Sequence, residues 1–318
     1  MRFNICTNTD NGVGLQADAE LLKSLLESWG HFVKLVHFKK TAELEEAPQV
    51  DVNLFLEVIA YDLIKRAKQN WLMPNPEWFA SCDHMIGLPQ ISKFLCKTKE
   101  AVRIFTELYG PERVTYVGFE SRDLYDPDVP RQRKFFHMAG QSRYKNSQAV
   151  AYAFAKYFDD PSDKDVHKEL VFVGAYVEEV QFAQGHKNVR YIQRASDAEL
   201  KKLMNECLFH VIPSGTEGWG HAIHEALGCG AVVITTDYPP MNEFNGTAKE
   251  LLVPYQRTIP ELAAQRAMVG AMEVKAIIEK AWKLSDEKIK VIGEGARNAF
   301  LTQREQFRQN FKNVVDGK

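Results

Sequence analysis

The chain has 318 residues, 45% of them apolar, and a formal net charge of −2; that length favours two ordinary domains, and the composition excludes extended disorder. The near-zero charge leaves no basic field that would gather nucleic acid. No run of eighteen apolar residues is present, MRFNICTNTDNG turns polar after five residues and reads as a first strand rather than a leader, and the five cysteines form no C-x-x-C pair, so the expectation is a cytoplasmic protein with free thiols and no structural zinc.

In the first part of the chain, short apolar runs predict strands at 2–7, 32–38, 52–56, 71–74, 85–88 and 114–118. Helical spacing predicts helices at 16–29, 61–68 and 98–109, with a turn around Trp78. Such alternation implies a parallel sheet covered on both faces. Residues 7–15, TNTDNGVGL, form a glycine turn opening the first helix. A dinucleotide loop is disfavoured there, because the third glycine is replaced by Ala17 and Phe38-Lys39-Lys40 puts no acid at the end of the second strand. Asn75 and Glu77 follow the fourth strand in a proline-stiffened turn. Loops at the carboxyl ends of an open parallel sheet face its ligand; a purely structural turn with Trp78 buried fits the same residues.

From 119 to 133 the pattern breaks into charged, proline-containing sequence and reads as a linker. The alternation then restarts, with strands predicted at 134–139, 170–173, 189–192, 208–213, 231–235 and 250–253. In FFHMAGQSRYKN, Gly140 permits a turn and Ser142, Arg143 and Lys145 precede a helix at 147–158. A hydroxyl and two cations at a helix start suit a diphosphate, although a solvated basic loop has the same composition. Ser196 and Glu199 form a capping box opening a helix to Asn205. The residues from 271 to 315 read as successive helices, with Phe300, Phe307 and Phe311 on the packing face of the last.

The densest signal is PSGTEGWGHAIHE, residues 213–225. A strand-like run precedes it and a helix-like run, 222–227, follows. The glycines let a ligand approach the backbone, and the free N–H groups of a helix start attract phosphate. Glu217 then lies at the helix mouth and Glu225 about two turns in, on nearly the same side. One carboxylate would meet hydroxyls near a phosphate and the other hydroxyls farther along, which suits a sugar nucleotide. Glutamates eight apart also occur in helices that bind nothing, so the spacing alone leaves both readings open.

The run Glu217-Gly218-Trp219-Gly220, four residues, Glu225-Ala226-Leu227, then Gly228 to Asp237 resembles the signature of retaining GT-B glycosyltransferases of family 4 over about twenty-five positions. The resemblance implies an α/β fold of two Rossmann-like, doubly wound parallel-sheet domains facing a cleft. The first would be an acceptor-binding domain at 1–130 and the second a donor-binding domain at 131–298. A C-terminal helix at 299–318 would pack back on the first domain. The implied activity moves a sugar from a UDP- or GDP-sugar to an acceptor hydroxyl, with retention and without metal or other cofactor. Glu217, Lys145 and Arg143 would be the catalytic residues; Arg143 would stand in for a family arginine whose position holds Gln141. Gly12, Gly14, Gly140, Ser142, Tyr191, Gly218, Trp219, Gly220, His221 and Glu225 would bind the donor, while Asp10, Asn11, Asn75 and Glu77 would lie near acceptor or donor sugar. His224 reads as structural. Before residue 131 there are 14 Lys+Arg against 19 Asp+Glu, which leaves 26 against 23 beyond it. That balance suits a diphosphate in the second part and argues against a polyanionic acceptor in the first. The alternatives are a non-catalytic sugar-nucleotide-binding subunit, an inverting GT-B transferase or a sugar-nucleotide epimerase.

Overall fold

The computed structural model describes residues 1–8, 14–80, 88–140, 143–158, 168–174, 180–246 and 248–318, Arg143 by its backbone only. Contacts divide the chain into a first unit, Met1–Val117 with Glu261–Ala264, and a second, Gly118–Pro260 with Gln265–Lys318.

The first unit runs β1 (Arg2–Thr7), α1 (Leu15–Ser28), β2 (Phe32–His37), α2 (Thr41–Glu46), β3 (Val50–Leu56), β4 (Ala67–Met73), β5 (Ile91–Cys96), α3 (Lys99–Tyr109) and β6 (Val114–Tyr116). Its six strands lie in the order β2-β1-β3-β4-β5-β6, all pairs parallel. Helix α3 starts at Thr98, whose hydroxyl accepts from the Ala101 N–H at 3.0 Å. Three buried asparagines cross the sheet. Asn4 donates to Asn53 at 3.1 Å and Asn53 donates to Asn70 at 2.9 Å. The amides of Asn53 and Asn70 also donate to the carbonyls of Leu63 (2.6 Å) and Ile64 (3.1 Å). Those carbonyls would be acceptors inside the helix expected at 61–68. Captured by side chains, they leave a 3-10 turn, Tyr61–Arg66, and the chain enters β4 at Ala67. The expected strand at 85–88 falls largely outside the described residues; Leu88–Gln90 is a 3-10 turn, and the strand of this region is β5.

The second unit runs β7 (Gln132–Gly140), α4 (Ser147–Tyr157), β8 (Leu170–Gly174), β9 (Val189–Ile192), α5 (Asp197–Glu206), β10 (Cys207–Ile212), α6 (His221–Gly228), β11 (Val232–Thr235), α7 (Met241–Phe244), a hairpin of β12 (Arg257–Glu261) and β13 (Ala264–Met268) except for its tip at Glu261–Ala264, α8 (Ala271–Trp282) and α9 (Asp286–Val315). Its parallel sheet has the order β11-β10-β7-β8-β9. The winding therefore reverses between β7 and β10, the switch point beyond whose carboxyl ends open α/β sheets bind ligands.

Both expected parallel sheets are present, with three differences in detail. The expected strand at 250–253 is a 3-10 turn, Lys249–Leu251, followed by a single bridge from Thr236 to Val253. Residues 118–130 belong to the second unit, so the division precedes the expected linker. Helix α9 is continuous through 298–299, where a boundary was expected. Phe300 packs on Gly228, where an added Cβ would lie 3.2 Å from the ring, and Phe307 lies 5.0 Å from Phe119. Both partners are second-unit residues, so these two rings belong to that unit's packing.

Candidate functional site

The loops after β7 and β10 leave neighbouring strands, and backbone contacts lock them together. The Gly215 N–H donates to the Tyr144 carbonyl at 2.7 Å, and the Ala267 N–H donates to the Gly215 carbonyl at 2.8 Å. Asn146, in left-handed backbone (φ 49°), donates from its amide to the carbonyls of Pro213 (2.7 Å) and Ala267 (3.3 Å). A Cβ on Gly215 would stand 2.5 Å from the Ala267 carbonyl oxygen, so only glycine admits this approach. The result is a direct ion pair between Lys145 Nζ and Glu217 Oε1, with side chains only 13% and 12% exposed.

Beneath this pair, His137 is fully buried. Its Nδ1–H donates to the Val211 carbonyl at 2.6 Å, and its Nε2 accepts from the Ser147 hydroxyl at 2.8 Å. It thus joins β7, β10 and the start of α4. Burial, aided by the charge of Lys145, pushes its pKa down to about 4, so the ring is neutral near pH 7.

Helix α6 begins after Gly220, whose left-handed φ of 80° would strain any other residue. Trp219 is 4% exposed and belongs to the core. It stacks on His224 at 3.8 Å, meets Phe244 at 5.5 Å, and donates from Nε1 to Ser121 Oγ at 3.1 Å. A donor contact at position 219 is therefore restricted to backbone atoms. His224 donates to the Gly220 carbonyl at 3.1 Å, and burial pushes its pKa down to about 3. Partly buried His221 and buried Glu225 lie one turn apart on the same helix.

Residues 118–123, read from sequence as linker, are instead a strap across α6. The ring of Phe119 lies 6.0 Å from His221, Ser121 Oγ is 2.8 Å from His221 Nδ1, and Arg122 Nε donates to Glu225 Oε1 at 2.8 Å. On either side, Arg308 binds both oxygens of Glu120 (2.7 and 3.0 Å) and Arg297 both oxygens of Asp123 (2.6 and 2.8 Å). Sequence reasoning missed Ser121 and Arg122 because their partners are about a hundred residues away; a charge run with proline beside it carries no mark of such pairing.

The second unit therefore gathers Gly140, Lys145, Glu217, Gly218, Gly220, His221 and Glu225 around the loops after β7 and β10. Tyr191 lies apart on β9, where its hydroxyl donates to the Gly174 carbonyl at 2.7 Å. Ser142, the Arg143 side chain, Asp10, Asn11 and Gly12 lie outside the described residues. In the first unit, Gly14 (φ 52°) opens α1, Asn75 donates to Glu57 Oε1, and Glu77 is buried. Trp78 is 53% exposed, not buried as the structural turn required. Glu57 itself has left-handed backbone (φ 64°), and burial raises its pKa against the opposing charge of Lys97.

Among the described residues, no group of three or more His, Cys, Asp or Glu side chains is arranged to hold a metal ion, and no helix is long and apolar enough to cross a membrane. What the second-unit loops offer is a lysine cation beside the starts of α4 and α6, where unpaired N–H groups favour an anion, and two carboxylates to accept from hydroxyls.

Two doubly wound parallel sheets, the second with an anion-suited loop pair at its switch point, define the GT-B class of glycosyltransferase folds. Residues 126–267, nearly all of them in the second unit, match the family model described as Glycosyl transferases group 1. The chain is similar to the sucrose-phosphate synthase of Thermosynechococcus elongatus, with a TM-score of 0.76 at 11% identity over 100% of this chain and 98% of that one. It is similar to a trehalose-6-phosphate synthase studied for glycosyltransfer with retention, with a TM-score of 0.68 at 10% identity over 100% and 99%. It is also similar to the pneumococcal O-GlcNAc transferase GtfA in complex with UDP and GlcNAc, with a TM-score of 0.66 at 13% identity over 87% of this chain. It spans 59% of the length of that transferase. A search of curated protein sequences finds no match.

Proposed function

We propose that the protein transfers a sugar from a nucleotide-diphosphate sugar, UDP- or GDP-linked, to an acceptor hydroxyl, with retention at the anomeric carbon. The observation that carries this reading is the Lys145–Glu217 ion pair between the loops of β7 and β10. Each group is the other's partner, and each has a natural exchange. Lys145 turns to the leaving diphosphate and Glu217 to hydroxyls of the donor sugar.

Lys145 and the starts of α4 and α6 stabilise the charge that grows on the diphosphate. Such preorganised electrostatics is usually the largest catalytic term, and here it supplies the charge that a metal ion supplies elsewhere. Glu225 accepts from the ribose, and His221 contacts phosphate or a sugar hydroxyl. No protein nucleophile is assigned: the leaving phosphate oxygen takes the acceptor's proton on the face where the new bond forms. The resemblance of the Glu217–Glu225 run to retaining transferases supports this outcome, as does likeness to a synthase studied for transfer with retention. UDP in the similar O-GlcNAc transferase supports a UDP-sugar first.

The test is a thermal-shift series with UDP-, GDP-, ADP- and CMP-sugars. A ligand at a hundred times its Kd stabilises the native state by about 2.7 kcal/mol, so one donor class should stand out. No shift with any of them removes the reading. Binding without turnover makes the protein a sensor or subunit, and an inverted product anomer by NMR makes it an inverting transferase.

A further inference from the structure

Three hydrogen-bonded arginine–carboxylate pairs hold the strap 118–123, with Arg304 farther off at 3.6 Å from Glu120 and 3.8 Å from Asp123, and the three are not alike. Arg308 grips Glu120 through two nitrogens on two oxygens, and Arg297 grips Asp123 in the same way. Such forks fix a carboxylate through both of its oxygens. Arg122 uses one nitrogen, Nε, on one oxygen, Oε1, of Glu225. Among the described residues no donor reaches Glu225 Oε2. The side chain is nonetheless only 5% exposed, on a helix whose neighbours Ala222, Ile223, Ala226 and Leu227 are buried and apolar. A carboxylate set in that surface needs a hydrogen-bonding partner to hold one orientation. Arg122 supplies it from a side chain that is itself 51% exposed, steadied from the far side by Asp197 at 3.6 Å.

We propose that Arg122 is a positioning residue for the donor's nucleoside: it anchors Glu225 by one oxygen and leaves the other as the acceptor for ribose hydroxyls. This rests on the donor reading above and adds a source of specificity to it. The single contact on Oε1 orients Glu225 and leaves Oε2 to a hydroxyl, so the site distinguishes ribose from deoxyribose through a residue outside the glycosyltransferase signature.

The experiment is calorimetric titration of the whole protein with UDP, GDP and ADP, then with the 2′-deoxy form of whichever binds most tightly. Arg122→Ala is expected to raise the Kd of the ribonucleotide about tenfold, the scale of one charge-assisted hydrogen bond, and to bring the ribo-to-deoxyribo ratio close to one. Arg122→Lys restores the charge without the Nε geometry and should fall between. Asp197→Ala should stay within about twofold, because that carboxylate is exposed and its pair is weak. If Arg122→Ala proves poorly folded, Arg122→Gln serves, since it keeps bulk and a donor. A variant that lowers the melting temperature yet keeps the ribo-to-deoxyribo ratio of the wild type overturns the proposal and leaves the donor reading standing. A wild type that binds none of the three nucleotides removes both.

Discussion

Each sheet carries a lysine–carboxylate pair near its carboxyl edge, and the two pairs live in different surroundings. In the first unit, Lys97 follows β5 and reaches Asp18 in the first turn of α1 at 3.6 Å; the residues are 3% and 5% exposed. In the second unit, Lys145 and Glu217 are bonded directly but sit on glycine-rich loops, with roughly an eighth of each side chain open to solvent. A pair sealed from water is a strut, because losing one partner strands the other's charge where nothing can hydrate it. A pair that water can reach is able to trade partners. The difference explains how two similarly wound sheets come to hold similar charges for different ends, one to fix a helix against its sheet and one to receive a ligand.

The strongest way to break this comparison is Lys97→Ala, which should lower the unfolding free energy in urea by about 3–5 kcal/mol, the range for removing one member of a buried ion pair. Lys145→Ala should lose distinctly less; equal losses would erase the contrast. The positions reverse in activity. Lys145→Ala and Glu217→Ala should each slow sugar transfer about 10²–10³-fold, the scale of one removed preorganised charge contact, with an unchanged circular dichroism spectrum. Full turnover in either variant removes that residue from the mechanism. Gly215→Ala tests the lock between loops: its Cβ must displace the Ala267 carbonyl, so a stability loss of about 1–3 kcal/mol should accompany weaker nucleotide binding. A variant that binds normally would show that the loops are held by other contacts.

Acid sharpens the contrast further. Burial lowers the pKa of His137 to about 4 and those of His210 and His224 to about 3, and all three lie in the second unit. An unfolded chain binds protons near pH 6.5 that the folded rings refuse. Stability therefore falls as pH drops below about 6.5 and continues to fall until the folded values are reached, by about 1.4 kcal/mol per pH unit for each ring. In His210→Phe the slope of stability between pH 5 and 6 should be shallower by that amount. An unchanged slope would mean that His210 is protonated in the native state or already neutral in the unfolded one.

The strands and the donor loop were legible because their determinants are local. Apolar runs mark β1–β3 and β7–β11, and the glycine spacing around Glu217 marks the loop itself. What escaped was decided at a distance. The 61–66 turn depends on Asn53 and Asn70 drawing carbonyls away from a helix, and both asparagines act from other elements. The strap was unreadable because Glu120, Arg122 and Asp123 look solvated until Arg308, Glu225 and Arg297 are brought beside them. Trp219 stands within the signature and reads as a ligand contact, yet its indole is consumed by Ser121, His224 and Phe244. A motif reports which positions matter; it does not say whether the side chain or the backbone is the working part.

The strap has a practical bearing on modularity. Composition would advise excising the donor half at residue 131, beyond the last proline of the charged stretch. A fragment begun there would discard Phe119, Ser121 and Arg122, leaving a gap under Trp219 and Phe307, a His221 without its Ser121 contact and an uncompensated Glu225. Begun at Gly118, the fragment would keep its own keystone. The seam of this chain thus falls at the last strand of the first sheet, before the sequence gives any sign of a join.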